Sequence, residues 1–169
     1  TWGPTRAGVR TRLSLIPNQS PDGKVLTPRV GQPIKLQLEL TNIGNEPFKY
    51  DAQQAGVNQS LTVLDPDGRP VKYIGLQYQT SGTAQSLPPR ETHVIVKELD
   101  LTAQYDIQRP GTYLVQWTQG ARNIKPDDTT TPFVPNSNVL TLEVQPAEAR
   151  AVPPNARDNA AATKPGRFV

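Results

Sequence analysis

Residues 101–117 constrain the fold of this chain more than any other stretch. They read Leu-Thr-Ala-Gln-Tyr-Asp-Ile-Gln-Arg-Pro-Gly-Thr-Tyr-Leu-Val-Gln-Trp. Leu101, Tyr105 and Ile107 lead into Pro110-Gly111, and Tyr113, Val115 and Trp117 then recur at every second position. Side chains spaced by two share one face of a strand, whereas a helix would scatter them. An apolar approach, a Pro-Gly turn and an alternating strand suit a chain that crosses between the two layers of a β-sandwich.

The same period of two runs through the sequence. Over 9–16, Val9, Thr11, Leu13 and Leu15 fall on one face and Arg10, Arg12 and Ser14 on the other. Over 34–40, Ile34, Leu36, Leu38 and Leu40 alternate with Lys35, Gln37 and Glu39. Phe48 and Tyr50 begin a short strand. Segments 61–64 and 71–74 flank Asp65-Pro66-Asp67-Gly68-Arg69-Pro70, which predicts a hairpin because Pro presets φ and Gly accepts a left-handed position. Over 92–99 the pattern places Val94 and Val96 inward and His93, Ile95 and Lys97 outward. Leu140, Leu142 and Val144 mark a last strand over 138–144. Eighteen prolines argue against long helices. The expectation is an all-β antiparallel sandwich of about seven to nine short strands.

Two connections, 75–90 and 119–137, exceed the usual length, and such loops are commonly functional. From Pro146 the composition shifts to alanine, proline, asparagine and charge without strand or helix period. The predicted organisation is therefore a sandwich over 1–145 and an irregular extension over 146–169, disordered alone or ordered on a partner. The extension carries Arg150, Arg157, Lys164 and Arg167 against Glu148 and Asp158, which is two of the net charge of +3. The body is then close to neutral. Nucleic-acid binding, which needs a dense basic face, is not expected. Arg6, Arg10 and Arg12 read as a solvated strand face. No apolar run is long enough to span a bilayer.

Catalytic chemistry finds few residues to work with. There is no cysteine and one histidine, so thiol chemistry and copper sites of the Cys-His type are excluded. His93 lacks a Gly-x-Ser-x-Gly partner and reads as a surface histidine. Asp65 and Asp67, or Asp127 and Asp128, offer oxygens to calcium, but turn chemistry accounts for the first pair, and no cofactor is expected. Asn18-Gln19-Ser20 and Asn58-Gln59-Ser60 match the N-glycosylation pattern. The absence of methionine suggests a processed product, as after signal-peptide removal.

Several motifs carry a family resemblance. Gly31-Gln32-Pro33, the 34–40 strand, Thr41-Asn42-Ile43-Gly44 and the 105–113 corner resemble bacterial extracytoplasmic immunoglobulin-like domains. Trp2-Gly3, Gly8-Val9 and Arg12-Leu13 look like the start of one such group, found beside sensor and peptidase modules. Val71-Lys72-Tyr73-Ile74-Gly75 is similar to the non-catalytic β-domain preceding deuterolysin-type metallopeptidases. The resemblance covers roughly 2–144 and implies an immunoglobulin-like Greek-key sandwich. The peptidase's His-Glu-x-x-His motif is absent, so its catalysis does not carry over.

The expected role is a non-catalytic structural or protein-interaction subunit of the cell envelope, periplasm or cell surface. Contacts are expected at strand edges, the 119–137 loop and the extension, with Phe133, Val152, Arg167, Phe168 and Val169 as partner-binding residues. Tyr73 and Tyr78 suggest the alternatives: a protein-binding or sugar-stacking surface. A carbohydrate-binding module and an accessory or inhibitor domain of a peptidase are the other roles open at this point.

Overall fold

A computed structural model describes residues 1–51, 61–76, 84–118 and 134–148. Among the described residues it is all-β, with ten strands and no helix. They are β1 (Val9–Leu15), β2 (Asn18–Gln19), β3 (Val25–Leu26), β4 (Lys35–Asn42), β5 (Phe48–Asp51), β6 (Leu61–Leu64), β7 (Ala84–Leu87), β8 (Thr92–Asp100), β9 (Gly111–Trp117) and β10 (Leu140–Val144). One sheet has the order β1-β4-β8 and the other β10-β9-β6, all antiparallel, and β2-β3 and β5-β7 form two small ribbons. Neighbours distant in sequence, such as β4 with β8 and β6 with β9, give the Greek-key character.

The alternating faces meet where the sequence predicts. Val9, Leu13, Leu36, Leu38 and Leu40 are buried from the first sheet, and Val63, Tyr113, Val115, Trp117, Leu142 and Val144 from the second. Their shared burial is the main favourable term, at about 1.5–3 kcal/mol for each large side chain removed from water.

Two predicted strands behave differently. In β8, Leu36 of β4 faces Leu99, Leu38 faces Val96 and Glu39 faces Val94. β8 thus sets three residues against two and then two against one, and each extra residue reverses the alternation. Val96 stays on the inner face opposite Leu38, and Lys97 stays exposed. Val94, expected inward, turns out and is 42% exposed. His93, expected outward, lies opposite the buried Leu40, and Ile95 packs against the core.

The second difference is 71–74, which forms no strand. The turn before it does form: Asp65 N–H donates to the Arg69 carbonyl at 2.8 Å. The ladder then stops after Val71 N–H donates to the Val63 carbonyl (2.9 Å). The chain veers instead to the corner. There Asp106 N–H donates to the Lys72 carbonyl (3.0 Å) and Ile74 N–H to the Gln104 carbonyl (2.8 Å).

That corner is built from tyrosine hydroxyls. Tyr113, near the start of β9, donates to the Arg109 carbonyl four residues upstream (2.8 Å), the tyrosine-corner arrangement of immunoglobulin-like sandwiches. Tyr105 donates to the Leu61 carbonyl (2.7 Å) and so ties the corner to β6. Asp100 Oδ1 accepts from Thr102 N–H (3.0 Å) and Thr102 Oγ1 (2.7 Å), turning the chain out of β8. Gly111 must be glycine: its φ is 134°, and a Cβ there would lie 2.6 Å from Pro66 Cγ.

The two sheets are also closed along β1. Thr11 pairs in parallel with Ser137, and Thr11 Oγ1 donates to the Pro135 carbonyl (2.9 Å). Asn138 acts as a one-residue substitute for a strand: Leu13 N–H donates to its Oδ1 (2.8 Å) and its Nδ2 donates to the Leu13 carbonyl (3.1 Å).

Replacing Asn138 by Ala leaves both Leu13 backbone groups unpaired and should cost about 2 kcal/mol. Urea unfolding checks this, and an unchanged midpoint would contradict the clamp. Burial, with a smaller contribution from Tyr73, pushes the Tyr105 phenol up to about 12. Its raised value means the fold favours the protonated phenol. That stability is complete below about pH 10, the unfolded value, and is lost as pH rises towards about 12. Alkaline melts of wild type and Tyr105→Phe should therefore converge across that window. A constant gap between them would remove Tyr105 as the cause.

Candidate functional site

Strand edges are the first place to look for binding, because they carry unpaired backbone donors and acceptors. β1 meets Ser137, β6 meets Pro70 and Val71, and Gln145 just past β10 meets Pro28 to Val30. β8 hydrogen-bonds to β4 on one side, and among the described residues no segment pairs with its other side. Its defences are local. Two bulges bend it, and Lys97 and Glu98 are exposed on it, with Glu98 also held by Lys35 at 2.7 Å. Such an edge resists indiscriminate pairing while leaving its backbone groups open.

The acidic side chains are largely committed elsewhere. Asp65 Oδ1 accepts from the N–H groups of Asp67 and Arg69, both at 2.9 Å. Arg109 Nη2 donates to Asp65 Oδ2 (2.6 Å) and Asp67 Oδ2 (3.1 Å). The Arg69 amide foremost, with Asp67 N–H and Arg109, holds the Asp65 carboxyl below its ordinary value. Asp67 in turn leads Asp65 in raising Arg109. The structure thus brings the two carboxylates together around a guanidinium. Among the described residues no three His, Asp or Glu side chains converge as metal ligands would. Glu39 pairs with Arg12, Glu143 accepts from Thr112 Oγ1 (2.7 Å), and Asp106 accepts from Gln108 Nε2 (2.8 Å). His93 Nδ1 lies 3.0 Å from Tyr50 Oη, and its Nε2 lies 3.8 Å from Glu91.

Tyr73 is half-buried and packs edge-on against Tyr105, with ring centroids 5.3 Å apart. Its hydroxyl donates to the Leu76 carbonyl (2.9 Å), so the ring supports the 73–76 bend. Beside it a shallow cavity of about 220 Å³ is lined by Gly31, Ile74, Thr102, Tyr105, Ile107 and Gln108. Ile74 and Leu76 are exposed. The other expected positions, Tyr78, Asp127, Asp128, Phe133, Val152, Arg167, Phe168 and Val169, lie outside the described residues.

Sequence reasoning missed the N-terminal cluster. Arg6 and Val9 exchange both backbone hydrogen bonds around Ala7 and Gly8, each at positive φ, the geometry of a tight two-residue hairpin turn. The first residues therefore fold back along β1, where Gly3 N–H donates to the Thr11 carbonyl (2.8 Å). A Cβ on Gly3 would lie 2.4 Å from the Asn136 carbonyl oxygen, so only glycine lets this segment approach. Trp2 is thereby laid against Arg10 and Arg12, with both guanidinium carbons 4.7 Å from the indole centroid. The Gly3 and Gly8 positions and the Arg-x-Arg spacing were the available signals. The predicted solvated face is instead partly covered.

No family model matches this chain, and no curated protein matches it. Among solved structures, a mutant β-glucosidase from Listeria innocua in complex with laminaribiose is similar over 80% of this chain at 13% identity and a TM-score of 0.38. A second structure of β-glucosidase from Listeria innocua is similar over 81% at 14% identity and a TM-score of 0.36. The chain spans 16% of the length of either.

Proposed function

We propose that this chain is a non-catalytic interaction module of a bacterial extracytoplasmic assembly, which takes an extended segment of a protein partner along the open side of β8. The observation that carries the reading is the one-sided pairing, among the described residues, of a nine-residue strand. Main-chain hydrogen bonds to an added strand supply affinity, and alternate side chains supply specificity. The 119–137 connection and the 146–169 extension provide further contacts, with Phe133, Val152, Arg167, Phe168 and Val169 as anchors. The binding role is also supported by the engagement of Asp65, Asp67, Glu39 and His93 in holding the fold. The location rests on the sequence resemblance to bacterial extracytoplasmic domains.

A photo-cross-linking residue at Lys97, exposed on β8, should yield a discrete protein adduct in a native envelope preparation. The same group at Glu143, on β10 of the other sheet, should not. Equal labelling from both positions would reject the β8 reading. Turnover of a glycoside or peptide substrate by the purified chain would reject the non-catalytic one.

A further inference from the structure

The Trp2 cluster contains two arginines in matched positions, of which, among the described residues, one has a counter-ion. Arg10 and Arg12 are two residues apart on β1, so they share a face at a separation of about 7 Å. Both guanidinium groups lie over the same indole. Arg12 Nε and Nη2 each approach Glu39 Oε2 at 2.6 Å, and Glu39 is Arg12's direct cross-strand partner. The cross-strand partner of Arg10 is Thr41, whose hydroxyl is engaged by the Glu91 carbonyl (3.1 Å) and Thr92 Oγ1 (2.7 Å). The Nε of Arg10 is buried and has no hydrogen-bond acceptor.

A cation–π contact attracts a guanidinium but leaves its in-plane N–H groups without an acceptor. Arg10 is therefore a cation held by Trp2 on a rigid strand, in the same setting as Arg12 but lacking the carboxylate. We propose that Arg10 is an anion-binding position completed by a carboxylate from an acidic side chain of a protein partner. A protein source fits this face better than an acidic sugar. The indole already carries guanidinium groups in place of a stacked ring. In the next row, Val94 stands opposite Glu39 and is 42% exposed, giving an apolar neighbour to the acidic contact. The anion contact itself lies on β1, at the opposite edge of the sheet from the open side of β8, so either proposal survives failure of the other.

Trp2 is the reporter, since Trp117 is buried, and a Trp2→Phe control should lose the emission change. The full chain is titrated with an acetylated oligoglutamate peptide, and separately with oligogalacturonate, at fixed ionic strength. The peptide should change Trp2 emission saturably. Arg10→Gln should weaken it about tenfold or more, as expected for a lost charge-assisted hydrogen bond. Arg10→Lys, which keeps the charge and favours an intact fold, should retain part of the affinity. Arg69→Gln removes the same charge from an exposed turn and should leave the affinity within about twofold. No response to the peptide, equal losses in Arg10→Gln and Arg69→Gln, or tighter binding of oligogalacturonate than of peptide would each overturn the proposal.

Discussion

Crossing from β8 to β9 takes the chain from one sheet to the other, and along that crossing the main-chain bonds to Lys72 and Ile74 satisfy only part of the backbone. Buried carbonyls and amides left without partners would cost more than most single contacts in the core supply. The chain answers with side chains placed for the purpose. Tyr113 reaches back to Arg109, Tyr105 reaches across to Leu61, and Asp100 receives Thr102. With the crossing fixed, Val115 and Trp117 of β9 enter the interior shared with Leu36 and Leu40. The Asp65 turn leans on the same region through Arg109 and through Pro66 against Gly111.

The corner also explains why the regions proposed for binding lie elsewhere. Tyr73, which sequence reasoning offers as a contact residue, is drawn into the corner by its edge-on packing with Tyr105. What the described residues leave open is peripheral: the far side of β8, the exposed Ile74 and Leu76, and the cationic cluster around Trp2. An edge with two bulges has a definite shape, and a partner strand must match it, so the irregularity that discourages aggregation also restricts which segments can add.

Much of the fold was legible because burial imposes a period of two. Positions 9–15, 36–40 and 113–117 could be read directly, since each presents one greasy face to one interior. The pattern misled at His93 and Val94 because a bulge is decided by the register against β4, which no local window contains. It misled at 71–74 because Val71 and Tyr73 alternate as strand residues do, while hydrogen bonds to the neighbouring corner determine where the backbone goes. The Trp2 cluster was hidden for a third reason. Its members are ordinary on the page, and only a turn with Ala7 and Gly8 at positive φ brings the indole over the two arginines.

The seam between Leu13 and Asn138 joins residues 125 positions apart. During synthesis the first strand can pair with β4 and with the folded-back N-terminal residues, but its Leu13 end stays unclosed until the ribosome has released almost the whole domain. Native structure of this kind, dominated by non-local pairing, forms slowly because chain entropy is surrendered before the contacts that reward it. A chain truncated before Asn138 would thus leave the Leu13 end of β1 as an unprotected template, a natural substrate for chaperones and proteases and a point at which translational arrest leaves an aggregation-prone product.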